Sequence, residues 1–326
     1  MIYIETGSED VYLNFGLELY FAAEKKLPEP VLLFWRTTPT LMVGKYQNTL
    51  EEINQSYAEQ HGIQVVRRLS GGGTIYTDLG GWQFTFIDYN EDAQITFTQY
   101  IAPVVDALRA LGVPAEFNGR NDLVIGGKKF SGNAQYKQGG TTVHHGSLLF
   151  STDIAQMVAS TTVDPYKILS KSIKSVRDRV TNIAEHLPQP MSTEDFKRHM
   201  VRYLLRGSER TYVPDETDLA RIRQLAAERF DNWQCKYGAN PKFEIVKTGR
   251  FAGGKMEFRL TVKKGVIQDA AVSGDYFASE RADRLAQCVT GCAYEKRAVL
   301  AALQKAGMDG AVYGVSAAEI AALITE

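Results

Sequence analysis

Cysteine is scarce in this chain, and its placement excludes two kinds of chemistry. The three thiols, Cys235, Cys288 and Cys292, are an odd number in a long chain and make no disulfide framework. Residues 1–234 contain none, so the N-terminal two thirds offers no thiol nucleophile. The Cys288/Cys292 pair has no histidine beyond His199 to complete a zinc set, and buried helix thiols are the simpler account. An excess of charge of one sign is also missing. Thirty-seven Lys and Arg balance 38 Asp and Glu to a net −1, which argues against nucleic acid as the main partner. Long apolar runs are absent: Val31–Trp35 falls far short of the ~20 residues of a membrane helix. The acidic opening MIYIETGSEDVYLNF has no basic region leading into an apolar stretch, so it is no secretory signal. A cytoplasmic protein is expected.

What is present describes a folded chain of two domains. Hydrophobic residues at 44% and charged residues at 23% of 326 positions match globular proteins, and the length suits two units rather than one. Apolar residues Val11, Phe15, Leu19 and Ala22 recur at helical spacing behind the possible caps Ser8 and Asp10, predicting a helix over 11–26. Strands are expected at 31–35, 41–46 and 64–69, with a helix over 51–61 stopped by Gly62. The segments 74–78 and 82–88 alternate around Leu79-Gly80-Gly81 and read as a half-buried hairpin. A helix over 97–111 follows, then three short apolar segments separated by Gly126-Gly127 and Gly139-Gly140, gaps too short for crossover helices. The fold class expected is α+β with a mainly antiparallel sheet, and no dinucleotide fingerprint follows a strand. After two helices within 193–230, the stretch WQCKYGANP carries turn residues, giving domains 1–241 and 242–326. The second should be a small α+β unit: a three-strand meander over 243–277, then helices from about 279, 293 and 316.

Two constellations carry chemistry. Arg67-Arg68-Leu69-Ser70-Gly71-Gly72-Gly73-Thr74 leaves one strand and enters another. Glycines leave backbone N–H groups open to an anion, and Arg67 or Arg68 can supply the counter-charge; three glycines alone serve a mobile turn equally well. The loop is no Walker A motif, since no Gly-Lys-Ser/Thr follows. The second constellation joins Asn121-Asp122, Gly127-Lys128-Lys129-Phe130-Ser131-Gly132-Asn133-Ala134 and His144-His145-Gly146-Ser147. Strand alternation puts Lys129, Ser131 and Asn133 on one face and Lys128 and Phe130 on the other, so only one lysine can enter a site beside Ser131. Solvated hairpin lysines are the plainer account of this segment by itself. His144 and His145 face opposite ways and cannot share a metal.

In order along the chain, RRLSGGGTIYTDLGGWQFTF, GRNDLVIGGKKFSGNAQ, HHGSLLFSTDI and SIKSVRDRVTNI resemble the lipoate–protein ligase family across nearly the whole of residues 1–185. The 233–241 linker and a meander ending Ser273-Gly274-Asp275-Tyr276-Phe277 resemble the accessory domain of its two-domain members. The resemblance implies a catalytic domain similar to biotin protein ligases and class II aminoacyl-tRNA synthetases. It implies ATP and Mg²⁺ as cofactors, with lipoate activated as lipoyl-AMP and passed to a lysine of a carrier such as glycine-cleavage H protein or the lipoyl domain of a 2-oxoacid dehydrogenase E2. The family's lysine falls on Lys129, which should stand between the lipoate carboxylate and the α-phosphate. Nucleotide and acid contacts fall on Arg68, Gly71, Gly72, Gly73, Thr74, Ile75, Tyr76, Asp78, Asn121, Asp122, Ser131, Gly132, Ala134, His145 and Gly146. Metal ligands are left unassigned. The chain departs from the family's His-Asp-Leu-Gly-Asn with Thr77-Asp78-Leu79-Gly80-Gly81, which bears on acid preference. Between Lys167 and Arg179 five basic residues and one acid suit a solvated face or the steering of an acidic carrier. Two other readings of the whole are a cysteine-dependent octanoyl or lipoyl transferase on the same fold and a carrier-binding module without ligase activity.

Overall fold

A computed structural model describes residues 1–89, 95–161, 175–236, 245–263 and 265–325. In chain order the first part runs β1 (Ile2–Ile4), α1 (Val11–Ala23), β2 (Val31–Trp35), β3 (Thr40–Val43), α2 (Thr49–Glu52), α3 (Gln55–Gln60), β4 (Gln64–Arg67), β5 (Ile75–Thr77) and β6 (Gly81–Asp88). It continues through α4 (Thr98–Ala110), β7 (Glu116–Phe117), β8 (Asp122–Ile125), β9 (Lys128–Gln138), β10 (Thr141–Leu149) and α5 (Ile154–Thr161), then helices Thr193–Leu204 and Glu216–Arg229. Seven strands form one sheet in the order β1-β2-β6-β10-β9-β8-β7, antiparallel except for β1 beside β2. The mainly antiparallel α+β expectation holds.

The two faces of this sheet bury different halves of each strand, as alternation requires. Phe34, Trp82, Phe84 and Phe86 point toward α4 and the helix Thr193–Leu204. Val31, Leu33, Trp35 and Ile87 point toward α1. Asp10 caps α1 by accepting from the amides of Tyr12 and Leu13 at 2.7 and 3.2 Å, and the helix ends at Ala23, short of the 26 expected, where Lys25 and Lys26 precede Pro28.

Two expectations are corrected. The segments 74–78 and 82–88 form no hairpin, because β6 is a central strand already paired with β2 and β10 and has no free edge. β5 instead pairs with β3 in a separate sheet of order β4-β3-β5, and β6 is buried on both faces rather than one. The helix expected over 51–61 is two, because the Asn54 side chain accepts from the Tyr57 amide at 3.1 Å and starts a new N-terminus inside it.

The C-terminal meander is present as β11 (Ile245–Phe251), β12 (Gly254–Lys263) and β13 (Val266–Gly274), all antiparallel. It packs Met256, Phe258, Leu260 and Ile267 against helices Leu285–Val289, Lys296–Lys305 and Ala317–Thr325 to make a core of its own. The boundary expected at 241 and residues 167–174 of the basic stretch lie outside the described residues.

Candidate active site

Met42 and Val66 of the small sheet pack with α1 and the α1 face of the large one, and the loop after β4 lines a cavity with Arg68, Gly72, Gly73 and Thr74. Arg67 and Arg68 both act on backbone carbonyls there. Arg67 donates to the carbonyls of Gly44 and Gln47 at 3.0 and 2.6 Å, to Thr49 Oγ1 at 2.6 Å and to the Cys235 carbonyl at 3.0 Å, which makes it a clamp on surrounding chain. Arg68 donates to the carbonyls of Met42, Gly71 and Gly73 at 2.7, 2.8 and 2.8 Å and lines the cavity. Burial, and then the Arg67 charge, push its guanidinium down to about 10, so it stays charged at neutral pH.

The glycines of the loop serve different ends. Gly72 has φ +92°, a left-handed conformation that side chains disfavour. A Cβ on Gly71 would stand 2.0 Å from the Tyr276 carbonyl oxygen, and the Gly72 amide donates to that same oxygen at 3.3 Å. The approach of the C-terminal domain therefore accounts for two of the three glycines, while Gly73 faces open space.

Across the cavity, β9 carries Lys129. Pairing slips between Leu123 and Val124, which oppose Ser131 and Lys129, so Phe130 is an extra residue in the ladder. The bulge overturns simple alternation: Ser131 opposes the core residue Leu123, whereas a Cβ on Gly132 would meet Lys129 Nζ at 3.2 Å. Lys129 thus lies over Gly132, its ammonium 2.7 Å from Asp122 Oδ1. Lys128 points outward, donating to the Arg177 carbonyl at 3.1 Å.

Two lobes meet at Lys129. One is lined by Phe15, Trp35, Met42, Gln83, His145 and Phe277, the other by Glu52, Tyr76, Leu149 and Met157; Thr74, Ile75, Lys129, Gly132 and Ser147 border both. Among the other residues expected at the site, Arg68, Gly72, Gly73, Asn121, Ala134, His145 and Gly146 line the first lobe and Tyr76 and Ser131 the second. Gly71 lies beneath Tyr276, and Asp122 reaches the junction through its ion pair. Asp78 lines neither lobe. Its carboxylate accepts from the amides of Gly80 and Asp153 at 3.0 and 2.8 Å, fixing the turn into β6, and burial raises its pKa.

The sequence reading missed a buried polar chain beneath the first lobe. His145 Nε2 lies 2.6 Å from Ser70 Oγ, and His145 Nδ1 lies 3.1 Å from Glu18 Oε2. Glu18 also accepts from Thr85 Oγ1 at 2.9 Å and from the Tyr136 hydroxyl at 3.2 Å. The order serine, histidine, carboxylate has the spacing of a nucleophilic triad. Ser70 is fully buried, however, and its Oγ also accepts from Arg68 Nε at 3.1 Å, so the chain holds the glycine loop to the sheet and to α1. An acid at position 18 within the apolar series Phe15, Leu19, Ala22 was the available signal. His144 faces away among Phe86, Phe97 and Tyr100, and burial, then His145, hold its pKa well below the usual imidazole value.

Fold and site together define a two-lobed cavity with a single lysine ammonium at the junction of its lobes. Comparison with known proteins narrows this. Residues 10–205 match the lipoyl protein ligase A/B catalytic domain and residues 240–324 the bacterial lipoate protein ligase C-terminus. The lipoate-protein ligase LplJ of Bacillus subtilis is 39% identical over 310 residues, 93% of this chain and 94% of that protein. The crystal structure of P. falciparum LipL1 in complex with lipoate aligns at TM-score 0.78 and 22% identity, over 93% of this chain and 94% of that one. A lipoate-protein ligase A bound with ATP aligns at TM-score 0.62 and 24% identity, over 73% and 97%. The chain belongs to the lipoate–protein ligase family.

Proposed function

We propose that this chain activates lipoate with ATP and transfers the lipoyl group to a lysine of a carrier protein. The observation that carries the reading is the junction of an apolar lobe and a second lobe at Lys129. A lipoate chain fits along Phe15, Trp35 and Met42 with its carboxylate at Lys129, and the nucleotide fits the lobe beside Tyr76. A carboxylate oxygen then attacks the α-phosphorus, the bond to pyrophosphate breaks, and lipoyl-AMP forms. Lys129 offsets the negative charge that gathers between carboxylate and phosphate, where a preorganised cation acts most strongly. In the second step the carrier's ε-amine attacks the acyl carbon, AMP departs, and the attacking nitrogen gives up one of its two protons to leave the amide N–H.

Mg²⁺ would enter with the triphosphate. Asp122 is the carboxylate at the junction and its chain neighbour Asn121 lines the first lobe, a donor set that fits an ion held largely by phosphate oxygens. Among the described residues no group of three acidic, histidine or cysteine side chains could hold a metal by itself. The carrier in this reading is a lipoyl-domain protein of the H protein or dehydrogenase E2 kind, and the setting is the cytoplasm; no described helix is long and apolar enough to cross a membrane. A thioester-forming transferase is disfavoured because no cysteine lines either lobe. ATP–pyrophosphate exchange dependent on lipoate tests the reading, and a purified, folded protein without such exchange would end it.

A further inference from the structure

Among the described residues that line the first lobe, Gln83 has a buried side-chain oxygen with no hydrogen-bond partner. Gln83 is 4% exposed on β6 and lines the lobe between Trp35 on β2 and Ser147 on β10, its pairing neighbours. Its Nε2 donates to Thr77 Oγ1 at 2.6 Å. Its Oε1 has no hydrogen-bond partner. A buried amide oxygen left unpaired is strongly disfavoured, and the ligand that supplies a donor there is favoured over one that does not.

The position of this oxygen relative to the reacting end is set by the sheet. Lys129 lies over Gly132 on β9, and β9, β10 and β6 are consecutive strands. Two strand spacings, about 10 Å, therefore separate Gln83 from the carboxylate position. That is about the length of an extended medium-chain acid. Gln83 thus lies beside the far end of the acyl chain rather than beside its carboxylate.

We infer that Gln83, held by Thr77, is a specificity-determining residue that selects medium-chain acids carrying a hydrogen-bond donor, a thiol or hydroxyl, at the end remote from the carboxylate. This deepens the proposed function and rests on it. In lipoate's own chemistry the reduced dithiol has S–H donors and the closed dithiolane has none, so the dithiol form is the better substrate for this lobe. Plain octanoate fills the lobe but leaves the amide oxygen unpaired.

The test compares acids that differ only at the far end. Pyrophosphate exchange is measured with octanoate, 8-hydroxyoctanoate, 8-mercaptooctanoate, lipoate and its dithiol form. The wild type should favour each donor-bearing acid over its donor-free counterpart by about tenfold in kcat/KM. Gln83→Leu should bring each ratio to about one by raising exchange with octanoate. Thr77→Val, which keeps Gln83 but frees its amide to turn, should reduce the ratios without inverting them, and it serves as the reading should Gln83→Leu not fold. Ratios near one in the wild type, or ratios unchanged in the variants, overturn the inference. Absence of exchange with every acid overturns the proposed function instead, so the two failures are distinguishable.

Discussion

At the scale of single residues, Lys129 and its neighbour Lys128 give the sharpest contrast. They adjoin in the chain, yet Lys129 stands at the junction of both lobes while the Lys128 ammonium lies at the surface against the Arg177 carbonyl. Lys129→Ala removes the cation from the place where carboxylate and phosphate meet and should lower adenylate formation by about a hundred- to a thousandfold. Lys128→Ala should retain most of it. Single-turnover formation of lipoyl-AMP checks the pair, and comparable losses in both would break the assignment. The lysine was legible in the sequence through family resemblance, but the reason it faces the site was not. Simple alternation grouped it with Ser131, whereas the Phe130 bulge places it over Gly132; a bulge depends on the partner strand, which local sequence does not specify. Glu18 was missed for a related reason, since its partners Thr85, Tyr136 and His145 come from three distant strands.

Elements show the same division between local pattern and distant pairing. The periodicity that marks 75–77 and 81–88 as strands is local and was readable, but their membership of different sheets is decided by which edges β3, β2 and β10 leave open. The contact between α1 and the helix Glu216–Arg229 carries a testable electrostatic tie. Asp218 accepts from the Tyr20 hydroxyl at 2.6 Å and from Lys25 at 2.7 and 2.9 Å, and Tyr212 donates to its other oxygen. Burial opposes the charged carboxylate, but these bonds from Lys25, Tyr20 and Tyr212 outweigh it and hold the pKa at about 2. A folded-state pKa below the unfolded value of about 3.9 stabilises the protein fully above that value. The contribution is lost as pH falls toward about 2, and its size is roughly 2 kcal/mol. Asp218→Asn should therefore lower stability at neutral pH and flatten its decline through this acid window. Urea unfolding of both proteins at several acidic pH values checks this, and an unchanged pH dependence in the variant would reject the tie.

For the whole molecule, the contact between the domains bears directly on the site. Tyr276 stacks on Tyr46 with ring centroids 4.4 Å apart, Lys45 pairs with Asp283 at 2.6 Å, and Phe277 enters the catalytic core against Phe97 at 5.4 Å. The Tyr276 carbonyl meanwhile occupies the Gly72 amide, one of the groups that the sequence reading assigned to phosphate. The glycine run was legible as a place of close backbone approach, but its occupant in this arrangement lies some two hundred residues later, a separation that no motif spans. If a phosphate is to reach that amide, the Tyr276 carbonyl must leave it, so adenylate formation should be accompanied by movement of the C-terminal domain. Small-angle scattering with a non-hydrolysable lipoyl-AMP analogue should give a curve different from that of the free protein. Phe277→Ala removes the wedge while leaving Lys45–Asp283 and the C-terminal core in place. The free variant should consequently scatter more like the analogue-bound wild type, with each domain still folded. A variant curve that superimposes on the free wild type, together with an unaltered wild-type curve on analogue binding, would show that the docked arrangement serves both states and that phosphate is held without the Gly72 amide.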